Sequence, residues 1–324
     1  MASSSISAAR SAVYRRIERK TLTTNGLIQR FPNKTAVMKM SATDTLPCTA
    51  GIGLRAPHYR EVLRDLPQLG WVEVHSENFF GGGAPLRTLL KVREHYPVSL
   101  HGVGMGLASA EPLDQEHLSS LQRLCDALQP AAVSEHLCWN TAGGVVVNDL
   151  LPFPYTQTAL SNTAIHVEQV QEKLGRRLLV ENLSSYLSFS HSEMSEGEFL
   201  AELSRRTGCG ILFDVNNLYV NARNLGVDAE AFIKKLPVDA VAEYHLAGYS
   251  EQAGNDEMHS CLVDTHSNPV HPAVWELYEV ALRHIGARPT LIEWDADIPA
   301  LAVLRAEAAQ AQFRMEQNCE FAAG

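Results

Sequence analysis

The 324-residue chain contains no uninterrupted apolar run of about 18 residues, so no helix of it is expected to cross a bilayer. Among its six cysteines (Cys48, Cys125, Cys138, Cys209, Cys261 and Cys319) no two form a C-x-x-C pair. That spacing yields neither a zinc ribbon nor a disulfide framework, and buried free thiols in a reducing, cytoplasmic setting are the expectation. Positive charge is scarce beyond residue 43: the first 43 residues hold eight Lys or Arg against Glu18 alone, and the remaining 281 hold 19 basic and 36 acidic side chains. An acidic body lacks the basic footprint of a nucleic-acid binder. Neither nucleic acid nor membrane is an expected partner.

The basic, Ser-rich leader superficially fits a transit peptide. Met38 and Met40 stand just before the folded pattern begins, however, and the reading adopted is a disordered extension or an over-extended gene start. Residues 1–45 are therefore expected to lie outside the fold, residues 46–318 to form one catalytic domain, and residues 319–324 to be a tail.

What the body does have is a repeated unit. Eight short apolar runs end in, or lead directly to, a histidine or an acid: Gly51 to Leu54 with His58 beyond, Trp71 to His75, Val98 to His101, Ala132 to Glu135, Leu178 to Glu181, Ile211 to Asp214, Val241 to His245 and Thr290 to Glu293. Between them lie stretches of helical period, such as Leu118, Leu121, Leu124, Cys125 and Leu128, or Ile165, Val167, Val170 and Leu174. Gly175 and Gly208 stand where left-handed helix ends belong, and Pro237 and Pro289 precede strands. Strand then helix, eight times over, predicts an α/β (β/α)8 TIM barrel, whose C-terminal rim gathers strand ends that are far apart in sequence. Two connections, Cys138 to Thr158 and Ala247 to Pro272, are too long for bare turns and are expected to cover the site. Residues 298–317 predict one more helix on the barrel exterior.

The strand ends supply His101, Glu135, Glu181, Asp214, His245, Asp264, His266 and Glu293, with His58, His75 and Glu77 in reserve. One strand-end histidine is ordinarily a hydrogen-bonded structural residue. Eight such groups at one rim are too many for a metal-free pocket, because crowded carboxylates are costly to bury unless cations neutralise them. Two or three divalent ions would suffice, and the mixed nitrogen and oxygen donors suit iron, manganese or zinc. Asn182 and Asn216 are either side-chain oxygen ligands or local caps. Strand alternation turns His136 away from the site if Glu135 points into it.

Ten motifs then stand in order: G-I-G-L-R at 51–55, V-H-S-E-N-F-F-G at 74–81, S-L-H-G-V-G-M at 99–105, S-E-H-L-C-W at 134–139, N-D-L-L-P-x-P at 148–154, V-E-N-L-S-S-Y at 180–186, F-D-V-N-N-L-Y-V-N at 213–221, Y-H-L-A-G-Y at 244–249, V-D-T-H at 263–266 and L-I-E-W-D at 291–295. Over about residues 48 to 315 the chain resembles the multinuclear non-heme iron-dependent oxidase family. The resemblance implies a xylose-isomerase-like barrel holding two or three irons of mixed ferrous and ferric state, with dioxygen as co-substrate. It also implies a ribosomally made precursor peptide as substrate, modified at cysteine and presented by a smaller partner protein. By motif position it places His101, Glu135, Glu181, Asn182, Asp214, His245, Asp264, His266 and Glu293 as metal ligands, with His101, Asp214 and His245 catalytic. Arg55, His58, His75, Glu77 and Asn216 would stand around the ligands or the substrate. Three rival readings remain: a divalent-metal sugar isomerase or epimerase on the same barrel, an abasic-site endonuclease, which the acidic body disfavours, and a non-catalytic metal-binding protein.

Overall fold

The computed structural model describes residues 45–252 and 260–323, with side chains described to Asn318. The leader and the middle of the second long connection thus fall outside the described residues. Eight parallel strands close a barrel in the order β1, β12, β9, β8, β7, β4, β3, β2. They are β1 (Ala50–Gly53), β2 (Val72–His75), β3 (Val98–Gly102), β4 (Ala132–His136), β7 (Leu179–Glu181), β8 (Gly210–Asp214), β9 (Val241–Leu246) and β12 (Thr290–Ile292), one for each predicted run. Their side chains are buried on both faces (Ile211, Leu212 and Phe213 are fully enclosed), because helices cover the outside and packed side chains fill the inside.

The connecting helices follow their sequence signals. Gln115–Leu128 buries Leu118, Leu121, Leu124, Cys125 and Leu128, and its first turn is capped by Asp114, which accepts from the amides of Glu116 and His117. Gln157–Leu174 ends at Gly175 and Glu196–Thr207 at Gly208, both glycines at positive φ. Ser195 and Glu198 close a reciprocal capping box at the start of the second of these. One expected face needs correction: Ile165 is exposed, and the buried stripe of its helix runs through Leu160, Ala164, Val167 and Val170. The closing helix, Leu301–Ala323, packs on β1 and β12, where Gln312 accepts from the Ala50 amide. It extends beyond residue 318 into the expected tail.

Both long connections contain antiparallel hairpins. The first pairs β5 (Trp139–Ala142) with β6 (Val145–Leu151), and the second pairs β10 (Ser250–Gln252) with β11 (Cys261–Val263). The second delivers Asp264 and His266 to the rim. Among the described residues no helix is long and apolar enough to cross a membrane.

Candidate metal centre

Strand register decides which side chains meet. On β3 and β4, His101 pairs with Ser134 and Gly102 with Glu135, while His136 on β4 pairs with Glu181 on β7. Residues paired in register share a face, so Ser134 and His136 join His101 and Glu181 in the barrel mouth, and Glu135 points away. The expected phase of β4 was inverted: His136 belongs to the cluster. The Glu135 carboxyl lies against Gly102, where even a Cβ would come within 1.9 Å of Oε2. Burial, then the charge of Glu77, raises its pKa well above the ordinary carboxylate value.

The Glu181 carboxylate is the hub. His101 Nε2 lies 3.1 Å and His136 Nε2 3.3 Å from its Oε2, and His245 Nδ1 lies 3.5 Å from its Oε1. The other ring nitrogens are committed. His136 Nδ1 donates to the Gly102 carbonyl at 3.0 Å, and His101 Nδ1 reaches Ser134 Oγ at 2.7 Å. The Ser134 hydroxyl itself donates to the Leu100 carbonyl, so Oγ is the acceptor in that pair. This network assigns the Nε2 lone pairs of both rings to the Glu181 side. In the neutral rings these lone pairs face a carboxylate with no proton between them, an arrangement that calls for either a cation or an added imidazole proton, and His101 Nε2 and Glu181 Oε2 lack hydrogen-bond partners of regular geometry.

A second group shares the same hub: one donor atom from each of Glu181, Asp214, His245 and Glu293 lies within 4.8 Å of the others. Asp214 caps the helix Val215–Leu225 through Oδ1, which accepts from the Asn217 amide, and keeps Oδ2 unpartnered. His245 Nδ1 lies 3.0 Å from Glu293 Oε2. Beyond Glu293, His266 Nδ1 stands 3.5 Å away, and its Nε2 is 2.6 Å from Asp264 Oδ1. Asn216 donates to the same Asp264 oxygen, and Ser184 to the other.

Electrostatics record the crowding. Burial, then the charges of Glu181 and Asp264, raises the Asp214 pKa well above its usual value. For Glu293, burial opposes ionisation, but His266 and His245 hold its pKa well below the usual range. Burial likewise opposes charge on His101, yet Glu181 and Glu73 push it up to about 10. In the absence of a cation, protons on imidazole must balance the acids.

The remaining expected residues divide clearly. Asn182 spends its amide on the chain, accepting from the Asp214 amide and donating to the Asp214 carbonyl, both at 2.9 Å, so it fixes β7 against β8 rather than facing the cluster. Arg55 and His75 stand at the edge of the rim: Arg55 Nε donates to Asp295 at 2.7 Å, and Nη2 lies 3.1 Å from His75 Nε2 and 3.7 Å from Glu293. Glu77 ties down the loop after β3 by accepting from the Val103 and Gly104 amides. His58 donates to the Pro299 carbonyl, away from the donors. Cys138 is fully buried, and burial raises its thiol pKa well above normal, so it offers no thiolate. Sequence reasoning missed Glu73, Glu243 and Asp295 as well as His136. Glu73 and Glu243 lie two residues before the selected histidines, His75 and His245, so the period of 2 was the available signal.

A closed parallel barrel with imidazoles and carboxylates sealed into its C-terminal mouth is the frame of a metal-dependent TIM-barrel enzyme. Residues 49–316 match the family model described as "RiPP precursor modification enzyme MbnB/TglH/ChrH", and the chain belongs to that family. This accords with the resemblance carried by the ten motifs. A UPF0276 protein of Chromobacterium violaceum is 62% identical over 273 residues, spanning 84% of this chain and 96% of that one. UPF0276 protein AM1_3026 of Acaryochloris marina is 49% identical over 269 residues, 83% and 95% of the two chains. Among solved structures, a xylose isomerase-like TIM barrel protein from Mycobacterium smegmatis in complex with magnesium superposes with a TM-score of 0.56 at 13% identity, covering 86% and 99% of the two chains. D-psicose 3-epimerase from Clostridium cellulolyticum H10, with D-tagatose, gives 0.54 at 9% identity over 83% and 98%. At such identities the likeness is one of fold alone.

Proposed function

We propose that the chain is an iron-dependent oxidase that uses dioxygen to modify a cysteine-bearing, ribosomally made precursor peptide at the mouth of the barrel, with a smaller partner protein presenting the peptide. The observation that carries this reading is the sealed Glu181 carboxylate faced by His101, His136 and His245. His101, His136 and Glu181 would hold one ion, Glu181, Asp214, His245 and Glu293 a second, and Asp264 with His266 the edge of a third. The donor set is nitrogen and oxygen without thiolate, which suits iron. Iron there would supply Lewis acidity toward a substrate thiol and the electrons that reduce dioxygen. The chain's own part is geometry and exclusion of water. The strand-borne donors are fixed by register, and Arg55, held by Asp295, places a cation at the rim where the peptide arrives. The hairpin after β4 and the one leading to Asp264 flank the mouth and would close over the bound peptide.

The test is a mass measurement. Ferrous-loaded protein, given oxygen, a short Cys-containing peptide encoded beside its gene and the neighbouring partner protein, should shift the peptide mass by loss of hydrogens or gain of oxygen. Replacing the target Cys by Ser should abolish the shift, because an alcohol at neutral pH is a far poorer iron ligand than a thiolate. No mass change, together with oxygen-independent interconversion of a ketose, would replace this reading with the sugar epimerase.

A further inference from the structure

We propose that Glu73 and Glu243 are positioning residues: sealed beneath the rim, they accept the Nε2 proton of His245 between them and so present its Nδ1 to the ion held by Glu181, Asp214 and Glu293. The inference rests on reading the rim as a metal centre. Glu73 on β2 and Glu243 on β9 are fully buried, and all four of their carboxylate oxygens lack a hydrogen-bond partner of regular geometry. Buried carboxylates are expensive unless a donor answers them. The group facing both is the His245 ring, whose Nε2 lies 3.4 Å from Glu73 Oε1 and 3.5 Å from Glu243 Oε1. Its other nitrogen, Nδ1, faces the opposite way, toward Glu293 and Glu181.

The tautomer follows from the proton count. A neutral imidazole carries one N–H. If an ion takes the Nδ1 lone pair, the hydrogen sits on Nε2, where the two glutamates are the acceptors. The near-equal distances, each longer than a bond aimed at one oxygen, fit a proton shared between two acceptors. Arg55 feels the Glu73 charge, but its hydrogen bond to that residue goes to the backbone carbonyl, from Nη1 at 3.4 Å, and leaves the carboxylate oxygens open to His245. Carboxylates placed in this way fix the ring orientation of a ligating histidine and raise its basicity. The opposite arrangement, a second ion lodged between the glutamates, needs the Nε2 lone pair and therefore moves the hydrogen to Nδ1.

Nitrogen-15 NMR of zinc-loaded wild-type protein, with the His245 signal assigned by comparison with His245→Gln, distinguishes the two. A protonated Nε2 and a metal-shifted Nδ1 are expected. A protonated Nδ1 would overturn the proposal and remove His245 from the donors of that ion, while leaving the ion assigned to His101, His136 and Glu181 standing. Cobalt(II) titrations supply the second readout. Glu73→Leu together with Glu243→Leu, which removes both acceptors, should weaken by about 10- to 100-fold the site that Asp214→Ala abolishes, with Glu73→Leu alone weakening it less, and both should leave unchanged the site that His136→Ala abolishes. Glu73→Gln, which keeps an acceptor oxygen, should restore most of that affinity. Equal weakening of both sites, or of neither, would mean that the glutamates serve only the core. Should the Leu variants fail to fold, the wild-type spectrum still decides. If wild-type protein takes up neither zinc nor cobalt, the metal-centre reading falls and this inference with it.

Discussion

Two halves of the rim are built differently. His101, His136, Glu181, Asp214 and His245 ride on barrel strands, and Glu293 follows β12 directly. Asp264 and His266 come instead from the connection after β11. Five of those six donors are sealed, but His136 keeps 11% of its side-chain exposure, close to the 13% that Asp264 and His266 each retain, so exposure alone does not divide the halves. The backbone does: His266 has φ of 47°, a left-handed conformation unusual for a residue other than glycine, and its carbonyl accepts from the amides of Asp295 and Ala296. Barrel register thus preorganises one half, while the other is held by a hairpin, by the two backbone hydrogen bonds to His266 and by the bonds that join Asp264 to Asn216, Ser184 and Tyr186. On the function proposed above, the strand-borne half would keep the ions and the hairpin-borne half would respond when substrate arrives.

Breaking the hub should erase this difference. Glu181→Ala removes the carboxylate common to both strand-borne groups, and iron content measured by elemental analysis should fall nearly to zero, with peptide modification abolished. Breaking only the hairpin side should expose the difference. Asp264→Ala is expected to keep the strand-borne ions while activity falls by roughly 10- to 100-fold, the scale expected when the support of a site is disturbed. Loss of all iron in Asp264→Ala would show that the two halves form one inseparable site.

Acidity sharpens the comparison further. In stripped protein His101, its charge opposed by burial but favoured by Glu181 and Glu73, titrates at about 10 against an ordinary 6.5. A folded-state pKa that is raised contributes stability fully present below the ordinary value and lost as pH rises toward 10. Stripped protein should therefore lose stability across that window, as read by melting temperature. Metal must displace the imidazole proton, so metal affinity should rise with pH and uptake should release protons, measurable by calorimetry in buffers of different ionisation enthalpy. Affinity that falls as pH rises would contradict the ligand assignment. The smallest effect is expected behind β4. Glu135→Gln replaces a carboxyl whose pKa burial has already raised, and should change stability by no more than about 1 kcal/mol in denaturant unfolding.

The barrel was legible in the sequence because each of its strands is a short apolar run that stops at, or shortly before, an acid or a histidine. The phase of β4 was not. Val133 and Glu135 form one alternating set, Ser134 and His136 the other, and with both faces buried no polarity contrast separates them. Only the register with β3 and β7 decides. Asn182 and Asn216 were read alike as possible oxygen ligands, yet one bridges two strands and the other braces Asp264, a distinction that requires the neighbouring strand. The first rim hairpin did leave a signal: Gly143 and Gly144, both at positive φ, sit between β5 and β6 as a two-residue turn.

The most direct test of the central claim, that strand register assembles a multinuclear metal centre around Glu181, is iron stoichiometry in three proteins loaded side by side. Wild type should hold two or more ions per chain, Glu135→Gln the same number, and His136→Ala at least one fewer. A full complement in His136→Ala with loss in Glu135→Gln, or a single ion in wild type, would contradict the account.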